Sequence, residues 1–278
     1  MAGLPRVARV AILTTTGLFV VVGIAESVWL WRYVDGQHAL GLDLAYFRSI
    51  AERWLDTGEF YLPRQLAGPY IVESNVDVLY PPNALFLFVP FLFLPWPLWW
   101  AVPIGVFTWS LWQLRPAPWT WPLMAAGIAY PPTISPLLYG NTNMWIAAAL
   151  AAGVVWGWPS VFVLLKPSLA PFALVGVRTR GWWIALAVLI LASASFGALW
   201  ADYVVAIRNS SLGPAHALVT VPLLLVPIVA WFGRTRRRSA SSLGWRWPGR
   251  SSAPATRSPA PSDAAPEAPH APPGDPTA

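Results

Sequence analysis

The chain has 278 residues, of which 56% are hydrophobic and 19 are Trp, with 11% charged and a mean hydropathy of +0.52. A water-soluble domain cannot hide that much apolar surface, so the composition excludes soluble enzymes and DNA-binding domains and points to a polytopic membrane protein. The formal charge of +6 is nearly all arginine, the lack of Cys removes disulfides and thiolate chemistry, and His38, His216 and His270 do not stand at metal-ligand spacing.

Arg6 and Arg9 precede an apolar run from Val10 to Trp31, about 33 Å long at 1.5 Å per residue. Glu26-Ser27 followed by Trp29 and Trp31 makes a poor cleavage site, so the run predicts a retained first helix with its N-terminus in the cytoplasm. Residues 32–83 read as a polar external loop, in an external region that reaches to residue 97. In it the acids Asp35, Asp43, Glu52, Asp56, Glu59, Glu73 and Asp77 outnumber four arginines. Leu44, Phe47, Ile50, Ala51, Trp54 and Leu55 recur every three or four residues. The spacing predicts an amphipathic helix in the interface plane, with Asp43 as N-cap and Gly58 at its end.

Pro90, Pro95 and Pro97 break the short apolar stretch 84–97, which is expected not to cross. Crossings follow at 98–114, 119–133 and 143–157, then a shallow hairpin at 159–177 turning near Lys166-Pro167. Segments 182–200 and 218–233 cross again, with 201–217 external between them. Arg115, Arg178, Arg180, Arg234 and Arg236 to Arg238 then all face the cytoplasm. Residues 239–278 are rich in Ser, Ala and Pro and predict a disordered cytoplasmic tail. The expected fold is an all-α transmembrane helical bundle of about seven to eight membrane segments over residues 1–238. Both termini would be cytoplasmic and the protein a multi-pass plasma-membrane protein.

This topology gathers Asp43, Tyr80, Asn83, Asn141, Asn143, Lys166, Asp202, Arg208 and His216 at the outer boundary. A carboxylate, amides, a lysine and an arginine suit a substrate with hydroxyls and a phosphate: Asp takes a proton from a hydroxyl, and cations hold a departing phosphate. Simpler roles compete. Asp is a preferred helix cap, Tyr80-Pro81-Pro82-Asn83 and Gly140-Asn141-Thr142-Asn143 read equally as turns, and Asp202, Arg208 and His216 suit a solvated loop. Lys166, the only lysine, stands in an apolar stretch, where it is costly unless it snorkels or meets an anion.

In order, Asp43-Leu44-Ala45-Tyr46, Gly58-Glu59-Phe60-Tyr61, Tyr80-Pro81-Pro82-Asn83, Gly140-Asn141-Thr142-Asn143 and Lys166-Pro167-Ser168-Leu169 resemble the landmarks of glycosyltransferase family 87. That family belongs to the GT-C superfamily of membrane enzymes and includes polyprenyl-phosphate-mannose-dependent mannosyltransferases. The resemblance runs from about residue 10 to 235 and implies an inverting hexosyltransferase. Such an enzyme moves a sugar, mannose or another hexose, from a polyprenyl phosphate to a lipid or glycan on the external face. By this resemblance Asp43 is the general base, Lys166 faces the donor phosphate, and Tyr80, Asn83, Asn141 and Asn143 are candidate substrate contacts; Arg208 and His216, which match none of the family's motifs, are candidates by their place at the outer boundary alone. It implies a transfer that needs no metal or depends on one only weakly, with no other cofactor, although Asp35 or Asp77 would be available to a divalent ion; the hydropathy, not the resemblance, argues against a nucleic acid partner. The family has more helices after its Lys-Pro element than this chain, which would make it a shortened member. The competing reading, from another class, is a non-catalytic polyprenol- or lipid-binding subunit such as a flippase component or scaffold.

Overall fold

The computed structural model describes residues 4–211 and 219–234, so His216 and the expected tail lie outside the described residues. Those residues form helices joined by turns and, between Ala67 and Pro82, by a longer loop, with no strand among them beyond isolated bridges. The helices are α1 (Arg6–Gly36), α2 (Leu42–Thr57), α3 (Pro63–Ala67), α4 (Leu85–Phe88), α5 (Pro90–Phe93), α6 (Leu98–Leu114), α7 (Trp121–Ala129), α8 (Pro131–Tyr139), α9 (Asn143–Trp156), α10 (Arg180–Ala194), α11 (Leu199–Asn209) and α12 (Val221–Phe232). The all-α class expected from the sequence is what the structure has. Among the described residues α1 is the one helix long and apolar enough to cross a membrane, and up to three spans result if each of two bent pairs is one span.

Both bent pairs have a local cause. Between α5 and α6 the chain turns by 120° over Leu94-Pro95-Trp96-Pro97, where the prolines cannot continue a helical ladder. Between α10 and α11 it turns by 93° around Gly197, whose φ of +46° lies in the left-handed region. The expected straight crossing 182–200 is therefore a helix that ends at Ala194, and the expected external loop after it begins as α11. The expected crossing 119–133 is also corrected. It stops at Ala129, because Pro131-Pro132 remove two donors and hold Tyr130 extended at ψ 122°, and α8 starts afresh.

α9 sits at the centre. Ile146, Ala147, Ala148, Leu150, Ala151 and Ala152 are all buried, since small residues all round this helix let neighbours approach on every side. It packs against α6, α12 and the two 3₁₀ runs Trp158–Leu165 and Pro167–Gly176. Those two runs lie side by side and form the expected hairpin, with Lys166 at its turn. Ser160 Oγ lies 2.8 Å from the carbonyls of Gly157 and Ala173, and the Trp182 indole donates to the same Ala173 carbonyl at 2.7 Å. α1 leans on α7 and α8, where Gly23 lets it approach Ala129 closely. The Ala117 N–H donates to the Gly233 carbonyl at 2.8 Å and Pro116 bridges Arg234, so Arg115 and Arg234 lie close together.

A second core lies under the long loop. Leu44, Phe47, Ile50 and Ala51 of α2 are buried against Phe88, Phe91 and Trp99. Phe47 stacks on Phe88 with ring centres 4.5 Å apart and meets Tyr80 edge-on at 5.4 Å. Most of the apolar face of α2 is thus covered by protein, while Leu55 near its end stays exposed. The loop is also built rather than loose. Gln65, fully buried, donates to the Val78 carbonyl and accepts from the Val78 N–H, and the Tyr70 hydroxyl donates to the Ala206 carbonyl on α11.

Candidate active site

The end of α8 is held to α6 by indole hydrogen bonds and to the start of α2 by a backbone one. The Trp99 indole donates to the Gly140 carbonyl and the Trp100 indole to the Leu137 carbonyl, each at 2.7 Å, while the Gly41 N–H donates to Leu138 at 3.0 Å. Gly140 ends α8 in the left-handed region at φ +78°, and a Cβ there would sit 3.1 Å from Trp100 Cζ2 and 3.2 Å from Leu44 Cβ. This close approach brings Asn141 to α2.

Asp43 is not a cap. Gly41 holds the N-cap position in the left-handed region, and Asp43 falls in the first turn, where its charge complements the helix dipole. Its Oδ2 accepts a hydrogen bond from Asn141 Nδ2 at 2.7 Å, and Oδ1 has no partner among the described residues. Asn141 Oδ1 accepts from the Asn143 N–H at 3.2 Å, and Asn143 Oδ1 accepts from Lys166 Nζ at 2.7 Å. Pro167 is the reason Lys166 leaves the helical region (φ −125°, ψ 85°) and ends the first 3₁₀ run. A chain of amides therefore links the acid to the ammonium. Two ammonium protons of Lys166 stay available to a ligand.

Asp43 and Lys166, both half-buried, line one cavity of about 980 Å³ together with Tyr46, Tyr80, Asn141 and Ser168. That is the upper end of the range for small-molecule sites. Burial pushes the Asp43 carboxyl above its ordinary value, while the Asn141 hydrogen bond and the positive charge of Lys166 pull it back. Burial also raises the Tyr46 and Tyr80 phenols, so both remain hydroxyls. The Tyr80 hydroxyl pairs with Thr142 Oγ1 at 2.9 Å, tying the loop before α4 to the same turn. At the rim, Asp77 is held by Arg64 at 2.9 Å and by the Glu73 N–H at 2.8 Å. Among the described residues no three of His, Asp and Glu come together as a metal-binding group.

Of the residues singled out from the sequence, Asp43, Tyr80, Asn141 and Lys166 share this cavity, and Asn143 joins through its hydrogen bond to Lys166. Asn83 does not: it is buried and lines a separate cavity, because the 3₁₀ turn Pro82–Ala84 points it towards α10. Arg208 is exposed on α11 and stays outside the cavity that its neighbours Ile207 and Ser210 line. Tyr46 is the residue that sequence reasoning passed over. Its hydroxyl is buried without a hydrogen-bond partner among the described residues, and its place three residues after Asp43, one turn on, was the available signal. No protein-family model, curated protein or solved structure matches this chain.

Proposed function

We propose that the protein is a membrane glycosyltransferase that moves a hexose, mannose by the motif resemblance, from a polyprenyl phosphate to a lipid or glycan hydroxyl. The observation that carries this reading is one cavity holding a partly free carboxylate and a lysine with protons to spare, joined by Asn141 and Asn143. In this mechanism the acceptor oxygen attacks the anomeric carbon and gives its proton to Asp43. The bond from that carbon to the phosphate oxygen breaks with its electron pair leaving on the phosphate, which Lys166 neutralises. Attack and departure on opposite faces invert the anomeric centre. Asn141, with Nδ2 and Oδ1 both engaged, acts as a positioning residue that aims Asp43, and Tyr46 offers its unpaired hydroxyl to the sugar.

The same reading takes the chain as a multi-pass plasma-membrane protein of seven to eight segments with cytoplasmic termini. Arg115 and Arg234 close together, and the Asp43 cavity against the turns 41–43 and 138–143, are what support that orientation. The large apolar side chains exposed on α1, among them Leu13, Leu18, Val21 and Ile24, support lipid contact. The test is incubation of membranes carrying the protein with radiolabelled polyprenyl-phosphate mannose and a lipid extract. Label should move to an acceptor, and membranes lacking the protein should show no such transfer. Saturable donor binding with no transfer to any acceptor would favour the non-catalytic lipid-binding subunit instead.

A further inference from the structure

A second cavity, of about 390 Å³, shares no lining residue with the Asp43 pocket. Leu164, Leu186, Leu189 and Ile190 form its walls, and no charged side chain lines it. Two polar side chains break the apolar lining. Asn83 is 5% exposed and Ser193 7%, and Asn83 Oδ1 and Ser193 Oγ are both buried without a hydrogen-bond partner among the described residues. The Trp200 indole, also in the lining, does not serve them, since it donates to the Ser193 carbonyl at 2.8 Å. Buried polar atoms are rarely left unpaired, and two of them on side chains that line one small apolar space point to a missing partner. The outward face of α10 exposes Trp183, Ile184, Val188 and Leu191, so this region suits hydrocarbon, where water is scarce.

The chemistry of the lining narrows the occupant. Without a cation in the wall a phosphate would be unneutralised, and without an acid an ammonium would be. A pure hydrocarbon would leave both polar atoms unpaired. We propose that this cavity binds the hydroxyl end of a neutral long-chain alcohol lipid. The O–H donates to Asn83 Oδ1, the oxygen accepts from Ser193 Oγ, and the chain lies along Leu164, Leu186 and Leu189. The site is independent of the transfer reaction and of Asp43.

The test uses the full chain in phosphatidylcholine nanodiscs with tritiated, diazirine-bearing hexadecanol as probe. Diazirine-bearing hexadecane and hexadecyl phosphate serve as comparators. The alcohol should label the α10 peptide saturably, be displaced by unlabelled hexadecanol, and exceed either comparator by at least about five-fold, as expected for pairing two buried polar groups. Ser193→Ala and Asn83→Leu should each bring alcohol labelling down towards the hydrocarbon level. Because Asn83→Leu could disturb folding, Leu189→Trp provides a second route: it fills the cavity and should abolish labelling with the thermal transition kept. Equal labelling by alcohol and hydrocarbon, stronger labelling by the phosphate, no saturation, or labelling unchanged by Leu189→Trp would overturn the proposal.

Discussion

The approach of α8 to α2 sets the whole site, and Gly140 is where it is most exposed to test. Gly140→Ala puts a side chain into the left-handed region, which costs about 1–2 kcal/mol. It also adds a Cβ at 3.1 Å from Trp100 and 3.2 Å from Leu44, closer than ordinary van der Waals contact. Overpacking of that kind costs a further ~1–3 kcal/mol. Gly58→Ala is the internal control: Gly58 has nearly the same φ, +77°, but nothing lies within 4 Å of its Cβ position. Both variants bear the backbone penalty, and only Gly140→Ala bears the contact penalty. At about 2–4 °C per kcal/mol for a chain of this size, Gly140→Ala should melt roughly 2–12 °C below Gly58→Ala. Tryptophan fluorescence in one detergent, with both proteins heated at the same rate, reads the difference. Equal melting temperatures would refute the close contact of α8 with α2 and Trp100, and with it the placement of Asn141 beside Asp43.

The remaining predictions bear on the chemistry. Lys166→Met should weaken binding of polyprenyl phosphate by about 10–150-fold, as expected for a hydrogen bond to a charged group, with Lys166→Arg losing less; equilibrium binding of the labelled lipid measures both. In the proposed reaction Asp43 accepts a proton and must be ionised, and burial raises its pKa, so transfer should fall on acidification with a midpoint above the ordinary carboxylate value of about 3.9. Asn141→Leu removes an interaction that lowers this pKa, so its midpoint should move to still higher pH in a pH–rate profile. The same raised carboxyl favours the folded state more at low pH, an advantage lost as pH rises through the folded-state pKa. Tyr80→Phe and Thr142→Val should each destabilise by about 0.5–1.5 kcal/mol, and the double variant by less than their sum, since they share one hydrogen bond.

Local pattern was readable and packing was not. The three- and four-residue spacing of Leu44, Phe47, Ile50 and Ala51 gave α2 its buried face, and Gly58 ended it as expected. Periodicity says that a face is apolar but not what covers it, so the cover of Phe88 and Trp99 was invisible. Asp43 looked like a cap because Asp favours that position. The left-handed Gly41 took it instead, since a Cβ there would press on Trp100 at 3.3 Å, a contact no local motif encodes. Two breaks had signals that hydropathy overrode, Pro131-Pro132 after α7 and Gly197 after α10. Lys166 was legible for a physical reason: a lone ammonium in an apolar stretch needs a partner, and Asn143 and the cavity supply one. Asn83 was misjudged because its neighbour Tyr80 faces one cavity and the tight turn at Pro82 sends it to another.

The most direct measurement compares wild type with Asp43→Asn in one preparation, following both donor binding and sugar transfer. Asn keeps the size of the side chain but cannot take the acceptor's proton. The account predicts donor affinity within a few-fold of wild type and transfer reduced by about 10²–10⁴. Transfer by Asp43→Asn at the wild-type rate would contradict it.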